Sequence, residues 1–141
     1  MIRAVLDTSV IVAASRSRRG ASFELLRLLD SRAFEAALSV ALYAEWQDAL
    51  ARPENRPPGI SAEAAAGFLR YLASLSVIQP IYFLWRPLLP DPDDDMILEL
   101  AVAAGCQVIV THNLRDFRGC DRFGLAVMSP AAFLKHVSEE P

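Results

Sequence analysis

The chain has 141 residues, 53% of them hydrophobic, which suits one domain with one core over residues 1–141 and leaves little room for a second. No apolar run reaches the roughly 18 residues of a membrane span, and no signal-peptide cleavage pattern precedes the first strand-like run, so a soluble cytoplasmic protein with no membrane partner is expected. A net charge of -3 excludes binding of a polyanion by overall charge, so any contact with nucleic-acid phosphate has to come from local groups of arginine.

Residues 2–6 are almost wholly apolar, as expected of a central parallel strand covered on both faces, with Arg3 near its start able to reach solvent. Residues 8–14 and 22–29 read as helices separated by Gly20, the second with Phe23, Leu25, Leu26, Leu28 and Leu29 as a broad apolar face. A second strand is predicted at 34–39 and a helix at 40–51 that stops before Pro53, while PENRPPG, residues 53–59, is a loop by composition. Ser61 is placed to cap a helix through AAAGFLRYLASL, with Ala64 in reach, and 76–79 reads as a third strand. Residues 80–92, with Tyr82, Phe83, Leu84, Trp85 and Leu88, suggest a packed extended connection or part of a partner groove. A strong helix begins at Asp93 and is closed after Ala104 by Gly105; strands follow at 107–110 and 125–128, and Ser129-Pro130 opens a last helix. Strands alternating with helices predict an α/β fold, a three-layer α/β/α sandwich around a mainly parallel five-stranded sheet.

In such sheets the functional crevice lies beyond the carboxyl ends of the strands. Asp7 sits at one of those ends, directly after Ala4-Val5-Leu6, where it reads either as a charge awaiting a cation or as the cap of the helix at Thr8. Glu45 shares a helical stripe with Ala41, Leu42, Trp46 and Ala49, which places a carboxylate at an apolar edge; an exposed glutamate is the alternative, and Asp48 one turn on reads as solvent-facing equally well. DPDDD, residues 91–95, opens a helix whose partial positive charge favours acids anyway. Within it Asp94 precedes Ile97, Leu98 and Ala101 by three, four and seven residues and is the inward-pointing acid, with Asp93 as the cap and Asp95 as a second candidate. Thr111, Asn113 and Asp116 in THNLRDF follow another strand, where the last two also fit a simple turn.

Clustered carboxylates repel one another and need a divalent cation. Cys106 and Cys120 have no metal-ligand spacing and read as reduced, partly buried thiols, and histidine is confined to His112 and His136. Oxygen donors therefore narrow the ion to Mg²⁺ or Mn²⁺. Such an ion activates water against a phosphodiester without a protein nucleophile, which accords with the absence of a GxSxG, Cys-His or Walker lysine pattern.

With these pieces in order, VLDTSV, LYAEWQDAL, PDPDDDMILELAVAAG, VIVTHNLRDF and GLAVMSPAAFL, the chain resembles the PIN-domain family, in particular VapC-like toxins of toxin-antitoxin pairs. The resemblance implies a PIN-like fold, Mg²⁺- or Mn²⁺-dependent endoribonuclease activity on an RNA substrate, a homodimer, and neutralisation by a cognate antitoxin protein. Asp7, Glu45 and Asp94 fall on the family's acidic triad and Asp116 on its more variable fourth acid. Asn113 stands where many members have Asp, which removes one charge and leaves a neutral ligand or a hydrogen bond to a water on the metal.

The leading expectation is thus a metal-dependent ribonuclease with Asp7, Glu45 and Asp94 on the ion, Asp116, Asn113 and the alternative Asp95 around it, Thr8, Ser9 and Thr111 supporting those ligands, and Arg16, Arg18 and Arg19 on RNA phosphates. A non-catalytic binding module of the same fold is the second expectation, motivated by the acidic balance and Asn113. A receiver or phosphotransfer enzyme is disfavoured, because the only lysine, Lys135, lies near the C-terminus and Asp7-Thr8-Ser9 is not a DxD motif.

Overall fold

The structure is a computed structural model that describes residues 1–81, 89 and 91–139, with Pro92 and Asp93 in backbone only. The five strands, β1 (Arg3–Leu6), β2 (Glu35–Leu38), β3 (Val77–Ile78), β4 (Val108–Val110) and β5 (Ala126–Met128), form one sheet of order β3-β2-β1-β4-β5. Every pairing is parallel, with Ala4 opposite both Ala36 and Val108. Among the described residues six helices, α1 (Thr8–Arg16), α2 (Ala21–Asp30), α3 (Val40–Ala51), α4 (Ala62–Leu75), α5 (Pro92–Ala103) and α6 (Pro130–Ser138), cover it in a three-layer α/β/α sandwich.

The apolar run of β1 is explained by its place: Ala4, Val5 and Leu6 are fully buried in mid-sheet. Arg3 escapes at the edge, donating to Glu35 Oε1 at 3.3 Å and to Ala104 O at 2.8 Å. α5 packs across β1, β2 and β4 through Ile97, Leu98 and Ala101. On another side α2 meets α1 and α6, and Phe133 of α6 stands edge-on to Phe34 with centroids 5.0 Å apart and planes at 88°. Such a pair adds to area burial because the ring edge faces the partner's electron-rich face.

Hydroxyl caps set three helix starts: Ser39, Ser61 and Ser129 accept from Leu42 N, Ala64 N and Ala132 N. Gly105 ends α5 at φ +67°, where Gly105 N and Cys106 N return to Val102 O and Ala101 O. That paired return needs a left-handed residue, which glycine adopts without strain.

Some boundaries differ from expectation. α1 continues to Arg16, so this arginine is helical, while Arg18 and Arg19 lie on the turn beyond. α5 starts at Pro92, one residue before the expected Asp93, because proline has no N–H to lose in a first turn; the capping position therefore passes from Asp93 to Asp91. Short 3₁₀ turns at Pro53–Asn55, Leu114–Phe117 and Cys120–Phe123 carry too few residues for a periodic signal. The aromatic connection expected at 80–92, with Tyr82, Phe83, Leu84, Trp85 and Leu88, falls almost wholly outside the described residues. Among the described residues no helix is long and apolar enough to cross a membrane.

Candidate active site

Strand order fixes where a site can form. The chain lays down β1, β2 and β3 in one direction and β4 and β5 in the other, so the switch lies between β1 and β4. Their carboxyl ends, marked by Asp7 and Thr111, open the crevice that open α/β sheets use for ligands.

Asp7 is built in closely. Its N–H donates to Val110 O at 2.9 Å, joining the ends of the two strands. It stands at the capping position of α1, yet its side chain makes no capping bond. Instead Oδ2 accepts from Thr111 Oγ1 at 2.7 Å and from Ser9 Oγ at 2.8 Å. Those hydroxyls accept in turn from Asn113 N at 2.9 Å and His112 N at 3.1 Å, so their single protons are directed at the carboxylate. The loop after β4 is thereby tied to the first turn of α1 through Asp7. Of the three supports expected, Ser9 and Thr111 have that position. Thr8 does not: its Oγ1 is buried with no hydrogen-bond partner among the described residues.

Asp94 enters from α5 under different conditions. It is half-buried, and its Oδ2 is a buried atom with no hydrogen-bond partner among the described residues. Burial first, and then the charges of Asp7, Asp91, Asp116 and Glu45, push its carboxyl up from the ordinary 3.8 to about 7. The structure thus brings Asp7, Glu45 and Asp116, from three other segments, within electrostatic reach of Asp94. Glu45 is half-buried on α3 between the buried Leu42 and Ala49, whereas Asp48 and Ala41 are exposed. Asn113 is exposed at the head of the 3₁₀ turn that carries the half-buried Asp116.

Asp95 faces elsewhere. It is fully buried, and its Oδ1 accepts from Leu89 N at 2.9 Å, which fastens the chain ahead of α5 to the helix. Adjacent acids in one helical turn are separated by about 100°, which is why one can serve the core while the other faces the crevice.

A divalent cation fits this donor set by charge and chemistry. All the groups are oxygen donors, and Asp94 carries a buried oxygen that no protein group satisfies among the described residues. Neither thiol competes: Cys106 and Cys120 are buried, and burial pushes the Cys106 thiol up to about 11. Among the described residues no three such groups already stand together as a ligand set.

Beside the crevice is a cavity of about 410 Å³ between α1 and the end of α3. One wall is the α1 face of Ser9, Val12, Ala13 and Arg16, spaced 3, 1 and 3 residues apart on a single helical stripe. Arg52 and His112 also line it, and both were missed in the sequence reading. The available signal for Arg52 was its position directly after the end of the helix that carries Glu45. His112 is recognisable only in three dimensions, where its Nε2 lies 2.9 Å from the hydroxyl of buried Ser22. Arg18 and Arg19 are exposed and do not line this cavity.

The sequence profile of the PIN domain matches residues 3–115, from β1 to the residue before Asp116. No curated protein matches the chain. Among solved structures, a chain of VapBC2 from Rickettsia felis, bound to a DNA fragment from their promoter, superposes with a TM-score of 0.63 at 19% identity, covering 91% of this chain and 98% of that one. At that identity the likeness is one of fold.

Proposed function

The chain belongs to the PIN-domain family, and from that premise we propose that it is a metal-dependent endoribonuclease, the toxin of a toxin-antitoxin pair. The observation that carries the reading is the half-buried Asp94, raised to about 7 by burial and by carboxylates drawn from three other segments. Folding brings such charges together at a cost of self-repulsion, which a divalent cation removes. Asp7, Glu45 and Asp94 would hold Mg²⁺ or Mn²⁺, with Asp116 and Asn113 completing its surroundings through water. When bound, the ion supplies a water acidified enough to attack a phosphodiester and positive charge to stabilise the departing oxygen.

The chain's own residues do the rest. Ser9 and Thr111 hold Asp7 in one orientation, so its other oxygen, Oδ1, is left for the ligand role. The bond of Asp95 to Leu89 N supports a structural role for that acid and so favours Asp94 as the ligand. The amide of Asn113 lowers the negative charge of the crevice by one relative to an Asp, which favours a single ion. The antitoxin and a homodimer belong to this reading through the family resemblance, and a cytoplasmic setting is proposed with them.

The test is cleavage of RNA by the purified chain with Mg²⁺ or Mn²⁺, with chelator, and with Asp7→Asn. Cleavage that needs the ion and falls by more than about 100-fold in the variant supports the proposal, that figure being the upper end for losing a mere support of a metal ligand. Equal rates for parent and variant overturn it. Exposed Asn113 favours one other reading, a fold kept for binding, which would show as thermal stabilisation by Mn²⁺ with no turnover of any RNA.

A further inference from the structure

We infer that the cavity between α1 and the end of α3 is a subsite for the nucleotide next to the scissile linkage, with Arg16 and Arg52 clamping its phosphate. The inference rests on the ribonuclease reading and goes beyond it by naming the groups that hold the strand. Two observations carry it. First, the cavity adjoins the Asp7 rim, because Ser9 in its lining donates to Asp7 Oδ2 at 2.8 Å and accepts from the backbone of His112, also in the lining, at 3.1 Å. Second, its lining contains the guanidinium groups of Arg16 and Arg52 and no carboxylate.

Neither guanidinium makes a hydrogen bond or ion pair among the described residues, whereas Arg3 and Arg27 pair with Glu35 and Glu24, and Arg56 is occupied by the carbonyls of Leu50, Ala51 and Ile60. In a chain of net charge -3, two unpaired arginines at one cavity beside a cluster of acids form a local reversal of sign. A phosphate is the complement of that arrangement, since planar guanidinium groups match its oxygens in pairs. Val12, Ala13 and Ala49 add apolar lining, which would suit the face of a base. His112, steadied by Ser22, stands at the junction of cavity and crevice. Thr8 adds a buried hydroxyl with no partner among the described residues on the same wall.

The test uses the full chain with Ca²⁺ in place of the catalytic ion, and a short single-stranded RNA containing the cleaved linkage. Binding is measured for the parent, Arg16→Ala, Arg52→Ala and the control Arg70→Ala, exposed on α4 and outside the cavity lining, with a neutral methylphosphonate moved through the linkages one at a time. The subsite predicts about a 10-fold weaker Kd for Arg52→Ala and a salt dependence reduced by about one phosphate contact. It also predicts that a neutral linkage adjacent to the cleaved one weakens the parent by a similar factor but leaves Arg52→Ala unchanged, since the contact is already lost. Cleavage with Mn²⁺ should show the loss in KM more than in kcat. If the parent binds and cleaves RNA but Arg16→Ala and Arg52→Ala match Arg70→Ala, the subsite is wrong and the nuclease stands. If the parent neither binds nor cleaves RNA, both fall.

Discussion

The rim of β1 and β4 and the first turn of α5 contribute acids to the same crevice under opposite terms. At the rim, Asp7 is nearly buried yet supplied with two hydroxyl donors, and the backbone amides behind those hydroxyls fix their direction. On α5, Asp94 is less buried but has an oxygen with no donor among the described residues, and it lies in the field of four other carboxylates. Protein hydrogen bonds can make a buried carboxylate tolerable; without them its charge has to be met from outside. In the proposed nuclease Asp7 would therefore be the preorganised ligand and Asp94 the one that makes the fold sensitive to cation and pH.

The largest expected effect is on activity. Asp94→Asn should lower RNA cleavage by more than about 100-fold, as for Asp7, because in the proposed nuclease each would touch the ion rather than support a ligand. Thr111→Val sharpens the contrast from the other side. It leaves every carboxylate in place but removes a donor to Asp7 and the acceptor of Asn113 N. Turnover should fall about 10- to 100-fold, and chemical denaturation should show a loss of about 1–3 kcal/mol.

Asp95→Asn tests the division of labour within α5. It weakens the acceptor of Leu89 N, so stability should fall by about 1–3 kcal/mol while Mn²⁺ affinity stays near that of the parent. A variant that folds as the parent does but loses the metal would reverse the assignment of Asp94 and Asp95.

The smallest effect is the pH dependence of the metal-free protein. Asp94 has a folded value of about 7 against an ordinary 3.8, so between these limits the folded state holds more protons than the unfolded one. Stability from this group is present below about pH 4 and is lost as pH rises through 7. Thermal melts without metal should decline over that window, Mn²⁺ should restore more at pH 8 than at pH 5, and Asp94→Asn should remove the slope. Melts that are flat in the parent would contradict the account.

The rim was legible in the sequence because a run of buried residues ending in Asp marks a strand's carboxyl end. The α5 acid was legible from its spacing to Ile97, Leu98 and Ala101, all of which are buried. What escaped was relational. Whether Asp94 or Asp95 faced the crevice turned on helix register, which a Pro92 start and the Leu89 contact decide. Thr8 and Ser9 are equivalent in composition, and only the loop after β4, folded back over α1, selects Ser9. Arg16 drew notice as part of a basic run, but its neighbours in sequence lie on a turn while its partner at the cavity is Arg52, 36 residues on.

Calorimetric titration of the metal-free chain with Mn²⁺ at pH 7, run in buffers of different ionisation enthalpy, tests the central assignment most directly. Binding should be accompanied by release of a fraction of a proton from Asp94, and in Asp94→Asn it should be much weaker and without that release. Equal affinity and equal proton release in parent and variant would contradict the assignment.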